Sequence, residues 1–213
     1  MLEDIKRQII ETGIMMDRYR LISLSGGNVS VRFDDKILVT PSGMMYEIME
    51  EDDIIVLDIE GKAIEGTRRV SVDTQALLYI FKHRPDINAI IHTHQPYATA
   101  VGLVEDYLPC CLTTLANATR GNVLVTKYAS AASLDMGIQA VEYLDDKLAI
   151  ILKNHGVISV GKDINQALYA CVYLEEAAKT YSIARSMSPL VAQLTDEQIA
   201  DAVAVFNNYG QKK

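Results

Sequence analysis

The order of strand-like and helix-like segments constrains the fold of this chain more than any other feature of its sequence. Residues 2 to about 20 carry spaced apolar side chains among charges, which predicts an amphipathic first helix. Strand-like segments follow in quick succession, at 28–33, 36–40 and 53–59. Because helices flank these strands without regular alternation, the pattern predicts an α/β fold with a central, mostly antiparallel sheet between layers of helices.

The second half of the chain continues the same mixture of elements. Helices are predicted at 72–83, 133–144, 165–187 and from Thr195 to Gly210, the last with a Thr195-x-x-Gln198 capping box. Ser71 is the expected N-cap of the first of these helices. Strands are predicted at 88–94 and 122–126, and 147–160 is expected to be one central strand interrupted at 154–156.

Length and composition favour a single domain over residues 1–213. About half of the 213 residues are hydrophobic and no Pro/Gly/Ser-rich linker divides them, so one sizeable core is expected.

The longest apolar run, 167–174, is far shorter than the ~20 residues of a membrane span, and the charged amino terminus is unlike a signal peptide. The three cysteines lack CxxC spacing, which predicts neither disulfides nor a thiolate zinc site. We therefore expect a cytoplasmic protein with no membrane partner.

Charge restricts the partners of the chain. A net charge of -8 argues against nucleic acid, because backbone phosphates require a basic face. An acidic protein can still bind a small phosphate ester through local backbone N–H groups and hydroxyls. Small phosphorylated molecules therefore stay within the range of possible ligands.

Three of the four histidines carry the strongest chemical signal. His92 and His94 lie two positions apart in a strand-like segment, and strand side chains alternate faces with period two, so both imidazoles are expected on one face. His155, in the segment Asn154-His155-Gly156, offers a third nitrogen. Three such donors leave the open position that catalytic zinc sites keep. His83, in the basic last turn of a helix before Pro85, is not expected to be a ligand.

Glycine and hydroxyl residues occur at three strand or helix ends: Ser25 to Asn28, Thr40 to Gly43, and Ser71. Glycine lets a backbone approach a ligand closely, and a helix N-terminus offers unpaired N–H donors to an anion. Together the three segments could form a phosphate cradle, whereas each alone is an ordinary turn. Asp73 follows closely, and its carboxylate could stabilise the helix dipole, ligate a metal or accept a proton.

The motifs in order resemble those of the class II aldolase/adducin family, and the resemblance runs from end to end. The matching motifs are Gly27-Asn28-Val29-Ser30, Thr40-Pro41-Ser42-Gly43, Ser71-Val72-Asp73, His92-Thr93-His94 and Asn154-His155-Gly156. The resemblance implies a Zn²⁺ site held by three histidines with Asp73 beside it as a further ligand: His92, His94 and His155. It implies a sugar-phosphate cradle that includes the backbone N–H of Val72: Gly27, Asn28, Ser42, Gly43, Ser71 and Val72.

The same resemblance implies an activity and an assembly. A ketose 1-phosphate, such as L-fuculose 1-phosphate, would be cleaved to dihydroxyacetone phosphate and L-lactaldehyde. Asp73 would be the acid/base residue, and Tyr209 would donate a proton to the active site of a neighbouring subunit. The family's aldolases are homotetramers with active sites between subunits, so the same assembly is expected here.

Departures from the family pattern leave alternatives open. Asp73 replaces a glutamate of the family's fuculose-phosphate aldolases, and Val72 replaces a second cradle serine. Ser71-Val72-Asp73-Thr74 instead resembles the family's ribulose-phosphate 4-epimerases, although His94 and His155 are only 61 positions apart, as in the aldolases, and no Asp lies between 106 and 135. A third alternative is a non-catalytic scaffold like adducin, which the three histidines argue against.

Overall fold

The computed structural model describes residues 1–206. Tyr209 and the predicted end of the last helix at Gly210 lie outside the described residues. The helices are α1 (Leu2–Arg18), α2 (Thr74–His83), α3 (Pro96–Val104), α4 (Thr113–Thr119), α5 (Leu134–Leu144), α6 (Ile164–Met187) and α7 (Asp196–Phe206). The strands are β1 (Asn28–Phe33), β2 (Lys36–Val39), β3 (Ile55–Asp58), β4 (Ala63–Glu65), β5 (Ala89–Thr93), β6 (Tyr107–Leu108), β7 (Val123–Leu124), β8 (Ala149–Leu152) and β9 (Gly156–Gly161).

A seven-stranded sheet forms the centre of the fold, with the strand order β4-β3-β2-β1-β5-β9-β8. Each neighbouring pair of strands runs antiparallel. The predicted α/β class with a mostly antiparallel sheet is therefore confirmed. β5 lies inside the sheet, between β1 and β9, and its side chains are enclosed on both faces.

Alternating side chains of β5 point into two different cores. Ile90 packs in a cluster with α2 and α5, whereas Ile91 packs on the opposite face with α1 and the first turns of α6. A third apolar cluster joins α3, α4 and the middle of α6 to β8. Because His92 has the parity of Ile90, it projects from the sheet on the side that α2 covers.

The structure corrects two of the predicted elements. Residues 147–160 form the β8–β9 hairpin rather than one interrupted strand, because Asn154 adopts a left-handed backbone (φ 60°) that reverses the chain. α2 begins at Thr74 rather than Val72, and Ser71 is not its N-cap: the Ser71 carbonyl accepts hydrogen bonds from the N–H and the hydroxyl of Thr74 in a preceding turn.

The capping box of α7 is present as predicted. The Thr195 hydroxyl accepts from the Gln198 N–H, and the Gln198 side chain accepts from the Thr195 N–H at 2.9 Å. Among the described residues no helix is both long enough and apolar enough to cross a membrane.

Candidate active site

His92 is fixed inside the sheet by the register of three strands. Asn28 of β1 lies opposite it on one side and Ile158 of β9 on the other. The next residue, Thr93, points to the other face, where its hydroxyl contacts the Cys171 thiol of α6 at 3.5 Å. The His92 side chain is 1% exposed, so its position is set by packing and pairing rather than by solvent.

The other two histidines lie just outside the strands. His94 follows the end of β5, and its backbone N–H donates to the Leu21 carbonyl at 3.1 Å, while the residue as a whole is exposed. His155 lies in the turn of the β8–β9 hairpin and is half-buried. Since β9 pairs with β5, the hairpin turn lies beside the end of β5 and brings His155 to the other two histidines.

The three imidazoles converge. The Nε2 atoms of His92 and His94 are 3.1 Å apart, and one ring nitrogen from each of the three histidines lies within 4.8 Å of the others. Two nitrogens bound tetrahedrally at the usual Zn–N distance would be about 3.4 Å apart. The spacing of His92 and His94 is close to that value.

Hydrogen bonding fixes the His92 tautomer. Its Nδ1–H donates to the Val157 carbonyl at 2.9 Å, which leaves the Nε2 lone pair directed at His94. Burial lowers the pKa of His92 to about 4, against an opposing effect of Asp73. Burial, together with the neighbouring His94, also lowers the pKa of His155. Both rings are therefore neutral at pH 7, which is the form that binds metals.

The site fits a divalent metal by its own chemistry. Two neutral imidazoles that face each other through Nε2 at 3.1 Å need a cation or a proton between them. His155 Nδ1 is buried and has no hydrogen-bond partner among residues 1–206. Three nitrogen donors with no cysteine among them form a donor set typical of catalytic zinc.

Two glycines allow the strands and turns of the site to approach one another. A Cβ on Gly156 would lie 2.2 Å from the Thr93 carbonyl oxygen. A Cβ on Gly27, whose φ is +73°, would lie 2.4 Å from the His92 carbonyl oxygen. Both contacts are with backbone atoms of the segment that carries His92 and His94, so a larger residue at either position would displace the histidines.

Asp73 lies next to the histidines, although it is not among the three residues of the nitrogen cluster. Its Oδ2 is 3.9 Å from His92 Nε2 and accepts a hydrogen bond from Asn28 Nδ2 at 2.9 Å. The same Asn28 nitrogen donates to the Ser71 hydroxyl oxygen at 3.1 Å. All three side chains are buried, so Asn28, Ser71 and Asp73 form one connected polar group beside His92.

The segment from Thr40 to Gly43 lies on the loop after β2. Backbone contacts join it to residues 69–70, directly before Ser71. Pro41 forms an isolated bridge with Val70, and the Ser42 N–H donates to the Arg69 carbonyl at 2.8 Å. A cavity of about 440 Å³ is lined by Ser42 and Gly43. Val72 is exposed, with its side chain free of the core. The loop therefore lies beside the Ser71 segment, with no direct hydrogen bond to a histidine among the described residues.

Sequence reasoning missed two contributors to this region. The Val157 carbonyl fixes the His92 tautomer, and a backbone acceptor of this kind has no signature in a sequence. Arg68 and Arg69 line the cavity beside Ser42, and Arg68 pairs with Asp53 at 2.6 Å. In the sequence, the role of these two arginines was indicated by a pair of basic residues directly before Val70-Ser71. A larger cavity of about 650 Å³, between α3 and the end of α6, includes none of the three histidines.

Comparison with known proteins gives a consistent result. Residues 7–182 match the model of the class II aldolase and adducin N-terminal domain. The L-fuculose phosphate aldolase of Escherichia coli K12 is 31% identical over 204 residues, which is 96% of this chain and 94% of the relative.

Solved structures show the same fold. An L-fuculose 1-phosphate aldolase superposes with a TM-score of 0.89 at 30% identity and covers 96% of each chain. An L-fuculose-1-phosphate aldolase from Thermus thermophilus has a TM-score of 0.76 at 24% identity over 87% of this chain and 96% of its own. The second likeness supports the fold alone.

Proposed function

Because this chain belongs to the class II aldolase and adducin family, we propose that it is a zinc-dependent aldolase that cleaves a ketose 1-phosphate. L-Fuculose 1-phosphate is the first candidate substrate, and the products would be dihydroxyacetone phosphate and L-lactaldehyde. Support for this substrate comes from the 31% identical L-fuculose phosphate aldolase of Escherichia coli, which aligns over nearly the whole chain.

The convergence of three imidazoles carries the proposal. His92, His94 and His155 would hold Zn²⁺, with Asp73 beside them as a further ligand. When bound there, the ion would supply a Lewis acid that polarises the substrate carbonyl and stabilises the negative charge that develops as the C–C bond breaks.

Asp73 is the proposed acid/base residue. Its carboxylate is buried next to His92, and Asn28 donates a hydrogen bond to its Oδ2. No side chain among residues 1–206 donates to Oδ1, so that oxygen is available to a substrate proton. In the aldol direction, Asp73 would accept a proton from dihydroxyacetone phosphate, and in the cleavage direction it would return it.

The proposed phosphate site combines backbone and hydroxyl groups from three segments. Its members are Gly27 and Asn28 at the start of β1, Ser42 and Gly43 after β2, and Ser71 with the Val72 N–H before α2. Neutral groups of this kind can bind a phosphate in a protein of net charge -8.

Two parts of the proposal depend on the family resemblance alone. In the aldol direction Tyr209 would deliver a proton to the aldehyde oxygen in a neighbouring subunit, and in cleavage it would take that proton back; Tyr209 lies outside the described residues. A homotetramer with active sites at its interfaces follows from the same resemblance. A cytoplasmic location is also proposed, and the three unbridged cysteines are consistent with a reducing compartment.

A sugar-phosphate 4-epimerase is the second candidate function. The observation in its favour is Asp73 followed by Thr74, with a carboxylate one methylene shorter than glutamate beside the metal cluster. The short interval between His94 and His155 favours the aldolase. An adducin-like scaffold has least support, because a scaffold does not require three converging imidazoles.

The test is an assay of purified, zinc-loaded protein on L-fuculose 1-phosphate and on L-ribulose 5-phosphate, with cleavage and epimerisation scored separately. We expect cleavage of the 1-phosphate, and loss of both bound zinc and cleavage in His92→Ala. His83→Ala is the matched control, since the His83 ring contacts the Tyr79 carbonyl within α2 and is not a ligand. Epimerisation without cleavage would establish the second candidate, and full activity in His92→Ala would refute the site.

A further inference from the structure

We propose that Arg69 is a further binding residue for the substrate phosphate, to which it supplies a positive charge beside the hydroxyl and backbone groups of the cradle. This inference rests on the proposed function, because it adds a cation to a phosphate site otherwise built from neutral groups. The preceding residue, Arg68, has a different role and holds the segment in place. The basic pair therefore contains one arginine for the ligand and one for the fold.

Backbone pairing places Arg69 opposite Ser42. Pro41 and Val70 form an antiparallel bridge. One position further along each segment, the Ser42 N–H donates to the Arg69 carbonyl at 2.8 Å. Opposed residues of an antiparallel pair project their side chains to one face, with Cβ atoms about 5 Å apart. Since Val70 packs against the core, the face that Ser42 and Arg69 share is the one turned away from the core.

The cavity of about 440 Å³ beside the cradle is lined by both of these residues and by Gly43. Among residues 1–206 no carboxylate lines it. Gly43 and Arg69 are exposed and Ser42 is half-buried, so an anion from solution can reach all three. In a protein of net charge -8, the overall field opposes an incoming phosphate, and a local cation offsets that repulsion.

The two arginines differ in their partners. Arg68 Nε donates to Asp53 at 2.6 Å, and that carboxylate side chain is only 10% exposed. To turn Arg68 towards a ligand would break this ion pair. The Arg69 guanidinium has no hydrogen bond or ion pair within residues 1–206, and its planar fork of N–H donors matches a phosphate. Of the two, Arg69 is therefore the residue that reaches an anion without loss of an existing contact.

Steady-state kinetics of the zinc-loaded enzyme test this assignment. We expect Arg69→Gln to raise the KM for the sugar phosphate by about ten-fold, because a charge-assisted contact is lost. The kcat should change by less than about three-fold, since the phosphate is held alike before and during bond cleavage. Arg69→Lys should recover part of the affinity, because lysine keeps the charge without the planar fork.

Lys82→Gln is the matched control for the loss of one positive charge. Lys82 is exposed in the last turn of α2, at the end of the helix remote from Ser71, and pairs with Glu60. Because salt screens an exposed charge at that distance, KM and kcat should both stay within about two-fold of the wild-type values.

Two measurements do not require activity. By isothermal titration, the dissociation constant of inorganic phosphate should rise about ten-fold in Arg69→Gln and less than about three-fold in Arg68→Gln. By urea unfolding without phosphate, the order is reversed. Arg68→Gln should lower the midpoint because Asp53 loses its partner, whereas Arg69→Gln should leave the midpoint unchanged. These opposite orders separate a ligand contact from a structural one.

The outcomes that would overturn the proposal differ from those that would overturn the function. Unchanged phosphate affinity in Arg69→Gln, or an equal loss in both arginine variants, would refute the role of Arg69. A fall in kcat at unchanged KM would also place this residue outside the phosphate site. If wild-type protein cleaves no sugar phosphate while Arg69→Gln still weakens inorganic phosphate, the aldolase function is wrong and the anion contact is supported. If wild-type protein binds no inorganic phosphate, the anion contact is wrong whatever the activity.

Discussion

At the scale of single residues, burial sets the protonation of the central imidazole. His92 is enclosed by β1, β5 and β9, and this burial lowers its pKa from an ordinary 6.5 to about 4. The His92 imidazole of the unfolded chain takes up a proton near pH 6.5, whereas that of the folded chain does so only near pH 4. Above about pH 6.5 His92 therefore contributes no pH dependence to the free energy of unfolding. Below that pH the unfolded state is favoured progressively, until both states are protonated.

We therefore predict that the metal-free protein loses stability between about pH 6.5 and pH 4. The loss from His92 should be of the order of 3 kcal/mol in the free energy of unfolding. Urea unfolding of chelator-treated protein at pH 7 and pH 4.5 measures it, with His92→Gln as the non-titrating control. Equal losses in wild type and His92→Gln would contradict the prediction.

The close approach of the β8–β9 turn to the end of β5 limits the size of the residue at position 156. A methyl group there would lie 2.2 Å from the Thr93 carbonyl oxygen, so Gly156→Ala must push the β8–β9 turn away from the end of β5. We expect a loss of about 2–3 kcal/mol in unfolding free energy and a weaker zinc affinity, because His155 moves with the turn. Both are measured directly, by urea unfolding and by zinc titration.

Gly43→Ala is the matched control for this substitution. Gly43 has a φ of +70°, but among residues 1–206, apart from Gly43 and its two chain neighbours, no heavy atom lies within 4 Å of the position that a methyl group would occupy, so only backbone strain of about 1 kcal/mol is expected there. If Gly156→Ala costs no more than Gly43→Ala, the close approach to Thr93 is not what requires glycine at position 156.

Some site residues were predictable from the sequence and others were not. The common face of His92 and His94 follows from the period of two in a strand, and the structure brings both together. The contact of His155 with them depends on the pairing of β9 with β5, and the Asn28–Asp73 hydrogen bond depends on the distance between β1 and the start of α2. Long-range pairing of this kind has no local pattern along the chain.

At the scale of elements, a side chain of α6 caps the first turn of a second helix, α3. The Glu175 carboxylate of α6 accepts from the Tyr97 and Ala98 N–H groups of α3, each at 2.9 Å. These N–H groups belong to the first turn of α3, where the helix itself offers no acceptor. In the sequence, Glu175 is one polar residue within a long helix, so its role could not be read from spacing.

We predict that Glu175→Ala destabilises the protein by about 1–3 kcal/mol, because two N–H donors in the first turn of α3 lose their acceptor. Glu175→Gln should cost less, since its single carbonyl oxygen can still accept one of the two bonds. Glu176→Ala, a substitution at the neighbouring exposed position, is the control and should change the unfolding free energy by less than about 0.5 kcal/mol. Urea unfolding of the three variants is the measurement, and equal effects at 175 and 176 would refute the cap.

The predicted elements differ from the observed ones mainly at turns. Residues 147–160 are largely apolar on either side of Asn154, and a continuous buried strand and a buried hairpin have the same composition. The left-handed backbone of Asn154 distinguishes the two, and a sequence does not show it. For the long helix α6, the predicted and observed bounds agree to within one residue at the start and coincide at Met187.

At the scale of the whole molecule, the proposed metal would connect parts of the fold that are distant in sequence. A ligand that binds the folded state alone raises the free energy of unfolding, by about 2.7 kcal/mol at a free concentration 100 times its dissociation constant. We therefore expect Zn²⁺ to raise the thermal midpoint by several degrees and a chelator to reverse the shift.

Differential scanning calorimetry with and without chelator measures this effect. His92→Ala should show no zinc-dependent shift, whereas His83→Ala should keep it, because His83 lies outside the cluster. A wild-type midpoint that does not respond to zinc would contradict the metal site.

The single-domain boundary of 1–213 and the homotetramer stay predictions. Sedimentation velocity of the purified protein tests the homotetramer.

The hairpin turn that carries His155 has a consequence for how this chain can vary. Only residues 153–155 separate β8 from β9, and His155, the third histidine of the cluster, occupies the last of these positions. Inserting or deleting one amino acid there would rotate the imidazole away from its companions, even if both strands kept their pairing. Laboratory evolution or recombination of this scaffold should therefore treat that turn as fixed in length and place its variation in other loops.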